Sequence, residues 1–288
     1  MICTSRRAAL RSILAGPSCN FPASVFDPIS ARIAQDVGYE MAMFAGSIAS
    51  FTVLGAPDLV VLTLTELAEQ ARRICRASDL PLLVDADHGF GNALNVRRTV
   101  QELEAAGVAG LTIEDTELPS AYGKPPKGLI SVQETLGKFQ AALDARQDPG
   151  LYLLARSTAF TALPAAEAIE RIAQYVHLPV DGLFLVGVQN FEQLEAVRQC
   201  TALPIVLGGT PAAMKDPTRL AALSVKIALE GHATFTAAVT AVYETMLRMR
   251  ANSAPMASTP SQLPANLLAE VTREADYQRW TQQYLQSA

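Results

Sequence analysis

The chain has 288 residues, half of them hydrophobic and 18% charged, with a formal net charge of −5. That is enough apolar material for a large buried core, and close to the roughly 250 residues a (β/α)8 barrel needs. No Lys/Arg-rich run occurs and no apolar run approaches the ~20 residues that span a bilayer, so nucleic acid and membrane are poor partners.

The first 26 residues hold Arg6, Arg7 and Arg11 and no acid, a faint transit-peptide pattern. Leu10, Ile13 and Leu14 follow helical spacing instead, and predict a first helix covering the bottom of a barrel. Short apolar runs then recur at Ala23–Phe26, Met41–Ala45, Leu80–Ala86, Gly110–Glu114, Leu151–Ala155, Gly182–Val186, Pro204–Leu207 and Val225–Leu229. Runs apolar on both faces are the mark of buried parallel strands. Between them lie helical patterns such as Leu64–Ala77, Asn95–Ala106, Gln133–Arg146, Ala165–Tyr175 and Phe191–Gln199. Eight strand–helix alternations predict an α/β fold, a closed (β/α)8 TIM barrel formed by residues 1–288 as one domain.

Residues 251–288 read as a linker with Pro255, Pro260 and Pro264, followed by an amphipathic helix over Leu267–Leu285. That helix carries Tyr277, Trp280 and Tyr284, which either pack back on their own barrel or cover a partner subunit. The four cysteines, Cys3, Cys19, Cys75 and Cys200, have neither zinc-site nor disulfide-framework spacing. A reduced, cytoplasmic protein is expected.

Functional groups of such barrels sit at the carboxyl ends of the strands. Here those ends read Asp85-Ala86-Asp87-His88 and Glu114-Asp115 on neighbouring strands, with Arg156 after the fifth and His232 after the eighth. Asp85 and Asp87 are expected to share a strand face, because side chains alternate with period two. Four clustered acids repel one another unless a hard divalent cation with oxygen ligands compensates. Zinc is disfavoured by the scarcity of His and Cys ligands.

The segments DADHGFGN and GLTIEDTELP, supported by SVFDPISARIAQDVGYE, FAGSIAS, LLARSTA and EGHATF, together resemble the phosphoenolpyruvate mutase/isocitrate lyase superfamily over nearly the whole chain. The resemblance implies a Mg2+-dependent barrel (Mn2+ as a possible substitute) that acts on small keto or hydroxy acids through an enolate. It implies Asp85 as the direct metal ligand, with Asp58, Asp87 and Glu114 holding the metal's water shell. Ser47 and the backbone N–H groups of Gly46 to Ile48 would bind the substrate carboxylate, and Arg156 would neutralise carboxylate or enolate charge. It also implies an eighth helix exchanged between subunits and a homotetramer, a dimer of such dimers.

Departures from the superfamily pattern narrow the reaction. Lyase members carry a Cys in the loop after the fourth strand, where this chain reads Pro119-Ser120-Ala121-Tyr122-Gly123-Lys124-Pro125-Pro126. Mutase members carry a Lys where Ser120 stands, and Lys124 reads as a lid tip. His232 matches the oxaloacetate decarboxylase branch, which implies conversion of oxaloacetate, or a close 2-keto diacid, to pyruvate and CO2 with Arg156 and His232 as catalytic residues. That branch tends to carry a Tyr just past the seventh strand, where this chain has Gly208. Two other readings stand beside this one. A C–C lyase or hydrolase on an oxaloacetate-like or 2-alkylmalate substrate would use His88 or Tyr122 as base. A non-catalytic barrel would bind a keto acid without turnover. Phe90, Tyr122, Thr158, Leu207 and Thr210 are candidates to line the pocket.

Overall fold

The computed structural model describes residues 2–119, 128–251 and 266–285. Ser120, Tyr122 and Lys124, and most of the proline-rich connector, lie outside them.

Eight parallel strands pair in chain order. They are β1 (Ala23–Ser24), β2 (Ala42–Phe44), β3 (Leu82–Asp85), β4 (Gly110–Glu114), β5 (Tyr152–Ser157), β6 (Gly182–Leu185), β7 (Ile205–Leu207) and β8 (Val225–Ala228). The sheet closes through Asn20, whose N–H donates to the Lys226 carbonyl at 2.8 Å and whose carbonyl accepts from the Ala228 N–H at 3.0 Å. All eight predicted strands are present; β4 keeps its predicted bounds, β5 runs on to Ser157, the others are trimmed to their hydrogen-bonded centres, and the fold is the expected TIM barrel.

Helices Leu64–Ala77 and Ala165–Tyr175 have their predicted limits, while Ala93–Ala106 starts two residues earlier than predicted. Leu64–Ala77 begins at a reciprocal Thr63–Glu66 capping box. Ala93–Ala106 is capped by Asn92, which accepts from the Leu94 and Asn95 N–H groups. No described helix is long and apolar enough to cross a membrane.

Two apolar layers result from strand alternation. One side chain set points outward under the helices, and the other fills the lumen with Met41, Met43, Leu83, Tyr152, Leu154, Phe184, Val206 and Ile227. Leu10 and Leu14 of the first helix, Ile2–Ala15, plug the lumen from below and are fully buried. The three arginines of that helix pin it in place. Arg6 pairs with Asp79 at 3.1 Å, Arg7 with Asp148 at 2.6 Å, and Arg11 with Asp181 at 3.0 Å.

The last two helical regions depart from a self-contained barrel. Helix Ala233–Ala251 has no buried residue and exposes Val239, Val242, Tyr243, Met246, Leu247 and Met249. The predicted single helix over Leu267–Leu285 is two helices, Leu267–Thr272 and Glu274–Leu285, broken at Arg273 with φ of 61°. The cause is tertiary. The Arg273 guanidinium forks onto both Asp36 carboxylate oxygens at 2.8 Å, and Arg32 donates to the Val271 carbonyl at 3.1 Å. The first of the two helices therefore packs back on Pro28–Val37, while Tyr277, Trp280 and Tyr284 stay exposed.

Candidate active site

Two residues further along each strand from the apolar plug, the lumen turns polar. Leu83 is followed by Asp85, Thr112 by Glu114 and Leu154 by Arg156, so three neighbouring strands deliver two acids and one base to the same layer. Arg156 donates through Nη1 to Asp85 Oδ2 and places Nε 3.1 Å from Glu114 Oε2. The second contact is close but misaligned, and leaves both Glu114 Oε2 and Arg156 Nε buried without a hydrogen bond. Asp85 Oδ1 accepts from the Thr112 hydroxyl at 2.9 Å and from the Asp87 N–H at 3.2 Å.

Asp87 reaches this layer by a different route from the one its spacing predicts. Strand β3 ends at Asp85, and Asp87 sits in a left-handed turn with φ of 46°, so a turn rather than the strand pleat brings the two acids together. Its carboxylate lies against Gly46, where a Cβ would come within 2.6 Å of both carboxylate oxygens. Burial, then the neighbouring charges of Asp85 and Glu114, raise the Asp87 pKa well above the ordinary carboxylate value, against the pull of Arg156. Glu114 is raised as well, first by burial.

Above this layer a cavity of about 220 Å3 is lined by Asp58, Asp87, Glu114 and Arg156, with Thr116, Thr158 and Thr161 and the apolar Val60, Leu118 and Val186. A larger cleft of about 550 Å3 near Pro17–Cys19 and Pro217–Ala222 lies away from the acids. Its one thiol, Cys19, is pushed up to about 11 by burial and is no nucleophile at neutral pH.

His232 joins the site from the eighth strand end. Its Nδ1 is 3.0 Å from Ser24 Oγ and its Nε2 3.3 Å from Ser47 Oγ, so two serines fix the ring. Burial lowers its pKa below the ordinary histidine value, although Asp85 and Asp58 pull it up. Gly46 and Ser47 open the short helix Gly46–Ala49, and the Ile48 side chain is buried in the core, which leaves its backbone N–H as its only means of contact with a ligand.

Several candidates lie elsewhere. Asp115 does not join the other acids. Next to inward Glu114 it points outward and is fully buried, accepting from Ser157 Oγ (2.8 Å), Arg171 Nε (2.9 Å), Tyr175 OH (2.7 Å) and the Thr158 N–H (3.2 Å). This network ties the ends of β4 and β5 together and so fixes Glu114 and Arg156. Arg171→Met would strand the Asp115 charge, and a loss of about 3–5 kcal/mol in unfolding free energy is expected by denaturant titration. His88 is 3% exposed, is not among the cavity-lining residues, and is held at a pKa of about 4 by burial. Of the candidate pocket residues, Thr158 lines the cavity, Phe90 and Thr210 do not, and Leu207 is fully buried in the core.

Sequence reasoning missed Ser24 and Thr112. Thr112 was within reach, since it is the register partner of Asp85 and lies two residues before Glu114 on the lumen face. Nothing local marks Ser24, whose partner is 208 residues away.

Among the described residues no three His, Cys, Asp or Glu side chains converge as ligands of one ion. The acids are nonetheless in excess over the single arginine, Glu114 Oε2 is an orphaned buried acceptor, and Asp87 resists ionisation. Asp85 Oδ2 keeps a second lone pair beyond its bond from Arg156, whereas Oδ1 is taken by Thr112 and the Asp87 N–H. This donor set suits a hard cation held by few direct carboxylate bonds and by water.

A parallel barrel with acids and one arginine at the carboxyl ends of its strands defines a class of site rather than a reaction. The model of the family phosphoenolpyruvate phosphomutase matches residues 10–250, and the chain belongs to that family, within the phosphoenolpyruvate mutase/isocitrate lyase superfamily. It is 53% identical over 284 residues to an oxaloacetate decarboxylase of Bradyrhizobium sp. strain BTAi1, covering 98% of each chain. Among solved structures it is similar to a phosphonopyruvate hydrolase complexed with oxalate and Mg2+ (TM-score 0.85, 27% identity, covering 98% of this chain and 99% of that one). It is also similar to a phosphoenolpyruvate phosphomutase from Streptomyces platensis subsp. rosaceus (TM-score 0.86, 26% identity, covering 97% and 99%).

Proposed function

We propose that this chain is a carboxy-lyase that converts oxaloacetate, or a close 2-keto diacid, to pyruvate and CO2 with the help of Mg2+ or Mn2+. The observation that carries this reading is Arg156, the one arginine among the described residues lining the acid-walled cavity, lying between Asp85 and Glu114. The 53% identity to a chain named oxaloacetate decarboxylase supports the choice of substrate.

Asp85 would bind the cation directly, and Asp58, Asp87 and Glu114 would hold its water. The chemistry such a cation supplies is Lewis-acid polarisation of a keto oxygen. Ser47 and the N–H groups of Gly46 to Ile48 would hold the substrate's C1 carboxylate. Breaking the C3–C4 bond releases CO2 and leaves the electron pair in a C2–C3 enolate, whose developing charge Arg156 stabilises. Carbon 3 then takes a proton. His232 would relay it: one ring nitrogen faces Ser24 and the other Ser47, and a neutral imidazole can accept at one as it donates at the other. No covalent nucleophile is required.

For His232→Gln a fall in kcat of about 100-fold is expected, with Mg2+ affinity nearly unchanged; wild-type kinetics would remove His232 from the reaction. The raised carboxyl pKa values give a second expectation. A carboxyl whose folded pKa is raised contributes stability that is lost as pH rises through that pKa. Cation binding relieves this repulsion and displaces the proton, so the gain in Tm from Mg2+ should be larger at pH 8 than at pH 5.5. Equal gains in paired thermal melts would contradict it.

All four cysteines are free, which agrees with a reducing, cytoplasmic setting. The exposed apolar side chains of Ala233–Ala251 call for a partner surface, and we assign that helix to exchange between subunits of a homotetramer. Proton NMR of an oxaloacetate incubation tests the reaction. Pyruvate as the product supports it, while oxalate plus acetate would make the protein a hydrolase, and oxalate binding without turnover of any keto acid would make it a binding barrel.

A further inference from the structure

Arg156 rests on a ring. Its register partner on β6 is Phe184, a lumen residue that is 3% exposed, and the guanidinium carbon lies 5.2 Å from the ring centroid. The cation is thus bounded by Asp85, by Glu114 and by an aromatic face, a contact that favours a flat, fixed guanidinium. The ring in turn depends on an absence. A Cβ built on Gly208, just past β7, would lie 2.7 Å from Phe184 Cε2 and 3.3 Å from its Cζ, and 2.7 Å from Val186 Cγ2. Gly208 is outside the set of glycines with positive φ, so its backbone does not require glycine; the space does.

We propose that Phe184 and Gly208 form a positioning pair for Arg156, in which the missing side chain at 208 lets the Phe184 ring lie where it holds the guanidinium against the reacting acid. Neither residue touches substrate. The pair rests on the reading above only in taking Arg156 as the group that meets the ligand.

A mutant cycle tests it. Phe184→Leu and Gly208→Ala should each lower kcat about tenfold, with KM changed less than about threefold, because the arginine is displaced rather than removed. The double variant Phe184→Leu/Gly208→Ala should be no worse than Phe184→Leu alone, since the added methyl then has no ring to push. Val186→Ala/Gly208→Ala should remain as impaired as Gly208→Ala. Oxalate affinity in the presence of Mg2+, read by calorimetry, should follow the same order. That readout separates the two proposals, because it still scores the pair if the wild-type protein fails to decarboxylate oxaloacetate. Wild-type behaviour of either single variant, multiplicative losses in the double, or rescue by Val186→Ala would overturn the pairing. Thermal melts of each variant identify any that fails to fold. Phe184→Met then takes the place of Phe184→Leu, and Phe184→Ala, which withdraws the ring without adding atoms at 208, takes the place of Gly208→Ala, with the same loss of kcat and oxalate affinity expected and wild-type values overturning the pairing.

Discussion

Asp85→Ala is expected to lower Mg2+-dependent turnover by at least about 1,000-fold and to remove measurable Mg2+ binding. The magnitude follows from where the carboxylate sits. It is 7% exposed and takes hydrogen bonds from Thr112, from the Asp87 N–H and from Arg156, so strand register, turn and cation converge on one side chain. Neither Asp58 nor Glu114 can inherit the place. Asp58 comes from an exposed loop, and Glu114 is the next strand's acid with its own misaligned contact to Arg156. Asp85→Asn is the sharper form of the test, because it keeps volume and an acceptor while removing charge. Full activity together with unchanged Mg2+ affinity in either variant would mean that the cation binds elsewhere.

The second large effect concerns Arg156. The substitution Arg156→Lys keeps a positive charge but loses the planar fork that faces Asp85 and Glu114 while lying over the Phe184 ring. A loss of about 100-fold to 1,000-fold in kcat is expected for removing one preorganised donor from a developing oxyanion. KM should rise less, since the carboxylate cradle proposed for the Gly46 to Ile48 segment would be untouched. Steady-state kinetics on oxaloacetate separates the two quantities. A wild-type kcat in the Arg156→Lys variant would show that the arginine serves only to neutralise the acids.

Much of the barrel was legible because its strands are buried on both faces, which turns parallel pairing into runs of Val, Ile, Leu and Phe that no surface element shares. The polar layer was legible for a related reason. A charged residue closing an apolar strand, as Asp85 and Glu114 do, has little structural purpose. What stayed hidden depended on contacts between distant parts of the chain. Asp115 looks like a fourth acid of the cluster until Arg171 and Tyr175, 56 and 60 residues on, claim it. The break at Arg273 has no proline or glycine to announce it, and follows from a pairing with Asp36 across 237 residues. Asp87 was placed in the right layer for the wrong reason, because a non-glycine residue in a left-handed turn leaves no mark in the spacing.

The central claim is that this acid-lined cavity, with Asp85 and a divalent cation, removes the distal carboxylate of oxaloacetate. Oxaloacetate labelled with 13C at C4, incubated with the protein and Mg2+ and followed by 13C NMR against the spontaneous background, tests it most directly. Labelled CO2 and bicarbonate with unlabelled pyruvate, abolished both by EDTA and by Asp85→Ala, is the result expected. Label recovered in acetate, or release that persists without the cation or without Asp85, would contradict it.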